Sequence, residues 1–425
     1  MLSNMKVLWF TNTPSCYMQS HNYNGGGWIS SLEKMIKTKY PEINLGVAFY
    51  NNVDSIKWQK VECDDVVYYP MGKPHKTLRF RLEQLVASRH KASLAHEKHS
   101  IPQFLEIVRD FKPDIIHVFG SENTFGLLAK YINVPIVLHI QGVLSAYINS
   151  FLPPAISWND FLFSSICIKS ILWHMREKLS FERNSITEVR MFENIKYFMG
   201  RTHWDKSIVS LINPSAQYFT CGEVLRDTFY GPINRCEGSR PVFISVLSWQ
   251  IYKGYDLVLK TANLLKKLNI GDFEWHIYGN VNPRFMEKKF RLSSENTSIV
   301  FKGVASADEL KNALLTATAL IHPSYIENSS NVICEAQITG CPCIAAYAGG
   351  NSTIIEDRVT GLLVPPNDPY MLAYSMKSLL DNDNLRLTLS QNAHRVASSR
   401  HDKDKIAARA IEIYKYIYEQ AKYIK

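Results

Sequence analysis

Between Lys6 and Val364 short apolar runs alternate with stretches of helical periodicity, and no other feature of the chain restricts its fold as tightly. Strands that pair in parallel need a crossover between them, and a helix is the usual one. The first half offers strands at Lys6–Thr11, Asn44–Phe49, Val66–Tyr69, Asp114–Phe119 and Val134–Ile140. The second offers Pro241–Leu247, Phe273–Tyr278, Ser298–Phe301, Ala319–His322, Pro342–Ala346 and Gly361–Val364, with helices such as Tyr255–Leu268 and Ala307–Ala317 between them. The expected fold class is α/β, built on parallel sheets.

At 425 residues the chain has room for two or three domains of roughly 150 residues. The strand runs stop from about Gly142 to Tyr197, and again around Cys221–Arg240, where Gly222, Gly231, Pro232 and Gly238 punctuate a polar segment. A boundary there gives a first domain over 1–221 and a second over 241–401. A last helix, Asp402–Lys425, carries Ile406, Ala410, Ile413, Tyr414 and Ile417 on one face.

With 46% hydrophobic and 20% charged residues, the chain is not of the disordered class. Its start lacks a signal-peptide pattern, and no apolar run reaches the ~18 residues that span a bilayer, so a cytoplasmic protein is expected. The eight cysteines are scattered without a CxxC pair, which reads as reduced, buried thiols and no zinc site. The net charge of +9 is concentrated: between Met71 and Ser100, Lys73, Lys76, Arg79, Arg81, Arg89, Lys91 and Lys98 face only Glu83 and Glu97. Such a stretch suits a membrane surface, a phosphorylated acceptor or nucleic acid, or else is a solvated helix face. Residues 142–185 are rich in Phe161, Leu162, Phe163, Ile166, Ile168, Ile171, Leu172 and Trp173, followed by His174, Arg176 and Lys178. They read either as an interfacial amphipathic helix or as a core helix of the first domain.

Three motifs could carry chemistry. Gly25, Gly26 and Gly27 follow the first strand and precede a helix, so that backbone and helix N–H groups could approach a phosphate, although the spacing is not a dinucleotide fingerprint. Lys253-Gly254 follows the first strand of the second half, where a lysine can sit over a pyrophosphate. The most informative run is Ile321 to Ala336. A strand ends at His322-Pro323, a polar loop carries Glu327, and Ser329 or Ser330 can cap a helix that holds Glu335. A diphosphate on the N–H groups of that helix would lie between the two carboxylates, each able to accept sugar hydroxyls.

These residues resemble the retaining GT-B glycosyltransferases of family four. That family places two glutamates with seven residues between them, as Glu327 and Glu335 stand here, followed by features matched by Gly340-Cys341-Pro342, Gly349-Gly350 and Gly361-Leu362-Leu363-Val364-Pro365. Lys253-Gly254, the triple glycine and His139 match further family positions, and Gly200-Arg201-Thr202 with Trp204-Asp205 resembles a motif of polysaccharide-building members. The family's arginine before the lysine is missing, with Leu247 and Ser248 in its place. Arg201 or backbone amides would supply that charge, or the phosphates would be held more loosely.

The resemblance implies two Rossmann-like domains facing a cleft, the C-terminal helix crossing back to the first. It implies a hexose-type transfer from UDP- or GDP-sugar to a glycan or lipid-linked acceptor, in the style of capsule, O-antigen or other cell-surface polysaccharide assembly. Glu327, His139 and Lys253 become the expected catalytic residues. Gly25, Gly26, Gly27, Arg201, Lys253, Glu327, Asn328, Ser329, Ser330, Asn331, Val332 and Glu335 become the expected donor contacts. No cofactor or divalent metal is implied, because Lys253 and helix dipoles would offset the charge of the departing diphosphate. Peripheral contact with an anionic membrane is expected, on the inner face of the cell membrane. A nucleotide-sugar epimerase of the same fold is the alternative enzyme. A nucleic-acid-binding role rests on the basic stretch alone, without an accompanying motif.

Overall fold

The structure, a computed structural model, describes residues 4–17, 27–51, 58–73, 87–164, 167–236, 238 and 240–423. The chain forms two units. The first comprises Met1–Ile148, Met175–Val224 and Asp402–Lys425, and the second Asn149–His174 and Leu225–His401.

The first unit is built on β1 (Lys6–Thr11), β2 (Asn44–Tyr50), β3 (Val61–Cys63), β4 (Val66–Met71), β5 (Ile115–Phe119), β6 (Ile136–His139), β7 (Tyr197–Gly200) and β8 (Gln217–Thr220), in the order β3-β4-β2-β1-β5-β6-β7-β8. All neighbours are parallel except the β3–β4 pair. Strand β1 is buried on both sides and shows the two-residue period of a central strand. Val7 and Trp9 join one core while Leu8 and Phe10 join the other. The helices Gly27–Lys39 and Lys403–Tyr423 supply the first of these cores, and Arg89–Phe111 the second. The last helix buries Ile406, Ala410, Ile413, Tyr414 and Ile417, the face its periodicity predicts.

The second unit contains β9 (Val242–Leu247), β10 (Glu274–Gly279), β11 (Ile299–Gly303), β12 (Ala319–His322), β13 (Cys343–Ala346) and β14 (Leu362–Val364), all parallel in the order β11-β10-β9-β12-β13-β14. Here too the core divides across the sheet: Phe243, Ala319 and Ile321 pack with the helices Tyr255–Lys267 and Pro369–Asp381. Ile244 and Leu320 pack with Ala307–Thr316 and Asn331–Ile338.

Two expectations are corrected. The segment 149–174, assigned from the sequence to the first domain, groups with the second unit. Its residues divide between the two readings of that stretch: Phe151, Ile156 and Phe161 are buried, whereas Phe163, Ile168, Leu172 and Trp173 are exposed. The cysteines are free, but only Cys221, Cys334, Cys341 and Cys343 are buried; Cys63, Cys167 and Cys236 are exposed and Cys16 lies between.

Candidate active site

In an open α/β sheet, ligands bind beyond the carboxyl ends of the strands where the strand order reverses. In the second unit that point lies between β9 and β12, since successive strands run outward from this pair on either side. The loops leaving these two strands carry Lys253 and Glu327. They are tied together by main chain: the Tyr325 N–H donates to the Tyr252 carbonyl at 2.8 Å, and the Tyr325 hydroxyl donates to Asp256 at 2.8 Å. The approach is too close for a side chain at residue 254. Gly254 has φ +83°, and a Cβ there would collide with the Pro323 carbonyl oxygen. Gly349 likewise lies against the Glu327 carbonyl, which accepts the Gly350 N–H at 2.8 Å.

This geometry brings the Lys253 ammonium to 3.0 and 2.8 Å from the two Glu327 carboxylate oxygens. Glu327 is 9% exposed. Burial, the largest single influence, would raise its pKa, but Lys253 and His322 together outweigh burial, and the carboxyl is lowered to about 2. Burial pushes the Lys253 ammonium down, yet Glu327 and Tyr252 together more than offset this and its pKa is raised. Both groups therefore stay charged at neutral pH. The His322 ring, buried at the end of β12, lies 3.7 Å from the same carboxylate.

The helix Asn331–Ile338 begins directly after this loop. Ser330 is its N-cap residue but makes no side-chain capping bond, contrary to the capping expected of Ser329 or Ser330. The first N–H groups of a helix have no partner within it, so this end can receive an anion. Asn328 and Ser330 are buried, Ser329 is half-buried, Asn331 is exposed and Val332 is buried. Glu335, one turn inside the helix, accepts two bonds from Arg226, at 2.8 and 2.9 Å. Burial raises its pKa despite that cation. Each oxygen has a second lone pair, so a ribose hydroxyl could still be accepted.

The remaining site candidates lie in the first unit. His139 ends β6 and is buried, with neither ring nitrogen hydrogen-bonded. Burial, with His117 and Arg201 nearby, lowers its pKa well below the usual value, and the ring is neutral. Trp28 packs edge-on against it at 5.2 Å and lies 5.9 Å from the Arg201 guanidinium. Arg201 forms an ion pair with Glu223 and reaches the Ile140 carbonyl at 3.3 Å, so its charge is already matched within this unit. Gly27 starts the helix Gly27–Lys39; Gly25 and Gly26 lie outside the described residues. Sequence reasoning missed Arg226 and His322. The first stands 109 residues from its partner, with no local signal, whereas the second was legible as the last residue of the strand before the motif loop.

Chemically, a retained ammonium beside an open helix start can hold a diphosphate, and a carboxylate kept ionised at neutral pH can accept sugar hydroxyls. Two parallel-sheet units with such loops at the switch point of the second form the GT-B architecture. Residues 231–396 match the family of glycosyl transferases, group 1. A D-inositol 3-phosphate glycosyltransferase of Salinispora arenicola is 35% identical over 117 residues, 28% of this chain and 26% of the relative, so the match spans about a quarter of that protein. Among solved structures, sucrose-phosphate synthase of Thermosynechococcus elongatus superposes with a TM-score of 0.71 at 14% identity, over 98% of this chain and 100% of that one. Anabaena HepE, solved with UDP and glucose, gives 0.63 at 14% identity, over 97% and 100%.

Proposed function

We propose that this chain is a retaining glycosyltransferase that moves a hexose-type sugar from UDP- or GDP-sugar to a glycan or lipid-linked acceptor in cell-surface polysaccharide assembly. One observation carries the reading: the Lys253–Glu327 ion pair stands at the switch point of the second unit, beside a helix start without a side-chain cap. On donor binding the diphosphate takes the ammonium and the helix N–H groups, and Glu327 turns to the hydroxyls of the sugar. Lys253 then offsets the charge that builds on the leaving diphosphate, in the place a divalent ion would otherwise take. The family match over 231–396 and the UDP and glucose found in the Anabaena structure support a nucleotide-sugar donor. The exposed Phe163, Ile168, Leu172 and Trp173, with Lys169 among them, support an acceptor held at the inner face of an anionic membrane. No helix of the described residues is long and apolar enough to cross a membrane.

A second reading of the acceptor draws on the inositol-phosphate relative and on the basic stretch at 71–100. Lys73, Arg89, Lys91 and Lys98 of that stretch are described, and Lys76, Arg79 and Arg81 lie outside the described residues. These charges would suit a phosphorylated polyol.

A thermal-shift panel of UDP-, GDP- and ADP-sugars tests the reading, because a ligand bound only by the folded state stabilises it by mass action. One donor is expected to raise the melting temperature and to be turned over in EDTA. Stabilisation by none of them would remove the donor site, and activity lost in EDTA and restored by manganese would remove the metal-free mechanism.

A further inference from the structure

Next to the turn that carries Lys253, the second unit holds a cavity of about 260 Å³ whose walls are mostly apolar. It opens between the loop after β9 and the start of the helix Pro283–Phe290, and the segment 149–174 closes its side. Phe161, Trp173, Trp249, Val281, Phe285 and Met286 line it. The two indoles meet edge to face at 5.0 Å, yet Trp173 is 48% and Trp249 42% exposed. Large aromatic faces left open to water mark a contact surface more often than a core. Among the polar lining, Ser248 and Gln250 bond to one another and the His174 ring rests on Phe161 at 4.4 Å, while His174 Nδ1 and the Tyr255 hydroxyl are buried without a hydrogen-bond partner among the described residues.

Basic side chains stand on two helices that supply the lining, and the acidic Asp160, next to Phe161, is paired with Lys289 at 2.8 Å. Lys169 stands one turn before Trp173 on the helix Ile168–Phe192. On the helix that supplies Phe285 and Met286, Arg284 and Lys288 are exposed, with Lys288 one turn beyond Phe285. The apolar surface continues outward through Ile168 and Leu172, 74% and 46% exposed. The volume lies just below the ~300–1,000 Å³ of sites that enclose a whole small molecule, which suits one end of a longer ligand.

We infer that this cavity binds the hydrocarbon chain of a phosphate-bearing lipid, with Trp173 and Trp249 gripping the chain and Lys169, Arg284 and Lys288 facing the phosphate. The inference rests on the lipid-linked acceptor of the preceding section, and it places the apolar part of that acceptor on the second unit.

The test uses the full chain and three probes: farnesyl phosphate, farnesol and inorganic phosphate. Farnesyl phosphate is expected to shift the tryptophan emission to the blue and to saturate. Farnesol is expected to bind at least tenfold more weakly, and phosphate to give no shift. By calorimetry Trp173→Ala and Trp249→Ala should each weaken farnesyl phosphate at least tenfold, while Leu211→Ala, on an exposed residue of the first unit, should leave it unchanged. Lys169→Glu repeats the test without removing a packed ring. Equal binding to wild type and to both tryptophan variants, farnesol binding as tightly as its phosphate, full competition by inorganic phosphate, or displacement by uridine would each overturn the proposal. The donor thermal shift is measured on the same samples. A donor response without chain binding removes this cavity alone, and chain binding without a donor response removes the glycosyltransferase reading alone.

Discussion

Glu327 and Glu335 stand on one short stretch of chain, yet each meets a different cation and does so at a different depth. Glu327 is set against Lys253 at the mouth of the loop, and Glu335 against Arg226 within the helix. If Glu327 touches the transferred sugar, its charge matters most as positive charge develops at the opening bond. Glu327→Gln is then expected to lower kcat about 10²-fold, on the scale of ~2.7 kcal/mol for one electrostatic contact. Glu335→Gln should instead raise KM more than it lowers kcat, because a ribose contact is equally strong before and during the reaction. Steady-state kinetics of both folded variants decide this, and wild-type behaviour in both would remove the donor site. The ion pair also has a pH signature. A carboxyl lowered from 4.5 to about 2 on folding contributes stability above the first value, and loses it as pH falls through the second. Lys253→Met removes the ammonium that, with His322, opposes burial, so acid unfolding of that variant should begin at a higher pH than in wild type. An unchanged acid midpoint would mean that Lys253 does not hold Glu327 ionised. The lysine and the two glutamates were legible because each sits at a strand end or in a helix start that local pattern predicts. Arg226 was not legible, because only tertiary folding carries it to Glu335.

At the scale of the elements, the central strands announced themselves as apolar runs, while the short or marginal ones did not. Strand β3 is three residues long with Glu62 and Cys63 exposed, and β8 is nowhere fully buried, so neither carries the hydrophobic signal of a buried strand. The segment 149–174 was misplaced for another reason: periodicity says which face of a helix is apolar, not which sheet it meets. The C-terminal helix was read correctly for its buried face, but its most specific contact could not be. The Tyr414 hydroxyl accepts from the Trp9 indole N–H at 3.1 Å and meets His117 Nδ1 at 2.6 Å, joining residues 405 and 297 positions apart. All three side chains are buried. Tyr414→Phe keeps the ring and strands the indole N–H, at a cost of about 1–3 kcal/mol. Denaturant unfolding should show a lower midpoint at an unchanged slope. A midpoint equal to that of wild type would mean that the hydroxyl is not what ties this helix to β1 and β5.

For the molecule as a whole, the net charge of +9 is read from the sequence, but its effect depends on where apolar surface is left open beside it. Basic side chains attract an anionic leaflet with ~1 kcal/mol each near the surface, and stable attachment takes a second contribution from buried apolar area. The stretch from Phe163 to Arg176 offers both: Phe163, Ile168, Leu172, Trp173 and Met175 are exposed, with Lys169 and Arg176 among them. Neither contribution alone suffices, and this sets what to measure. The protein is expected to sediment with phosphatidylglycerol-containing vesicles at low ionic strength and to stay in solution with pure phosphatidylcholine. At 1 M salt the screening length shrinks to ~3 Å and the charge contribution fades, so most of the protein should be released. Ile168→Ser with Trp173→Ser removes apolar area and no charge, and should reduce binding at low salt as well. A protein that stays in solution with anionic vesicles at low salt would end the membrane reading. Equal sedimentation with neutral and anionic vesicles would mean that charge plays no part. Loss with salt but not with the double variant would mean that the apolar strip meets something other than lipid.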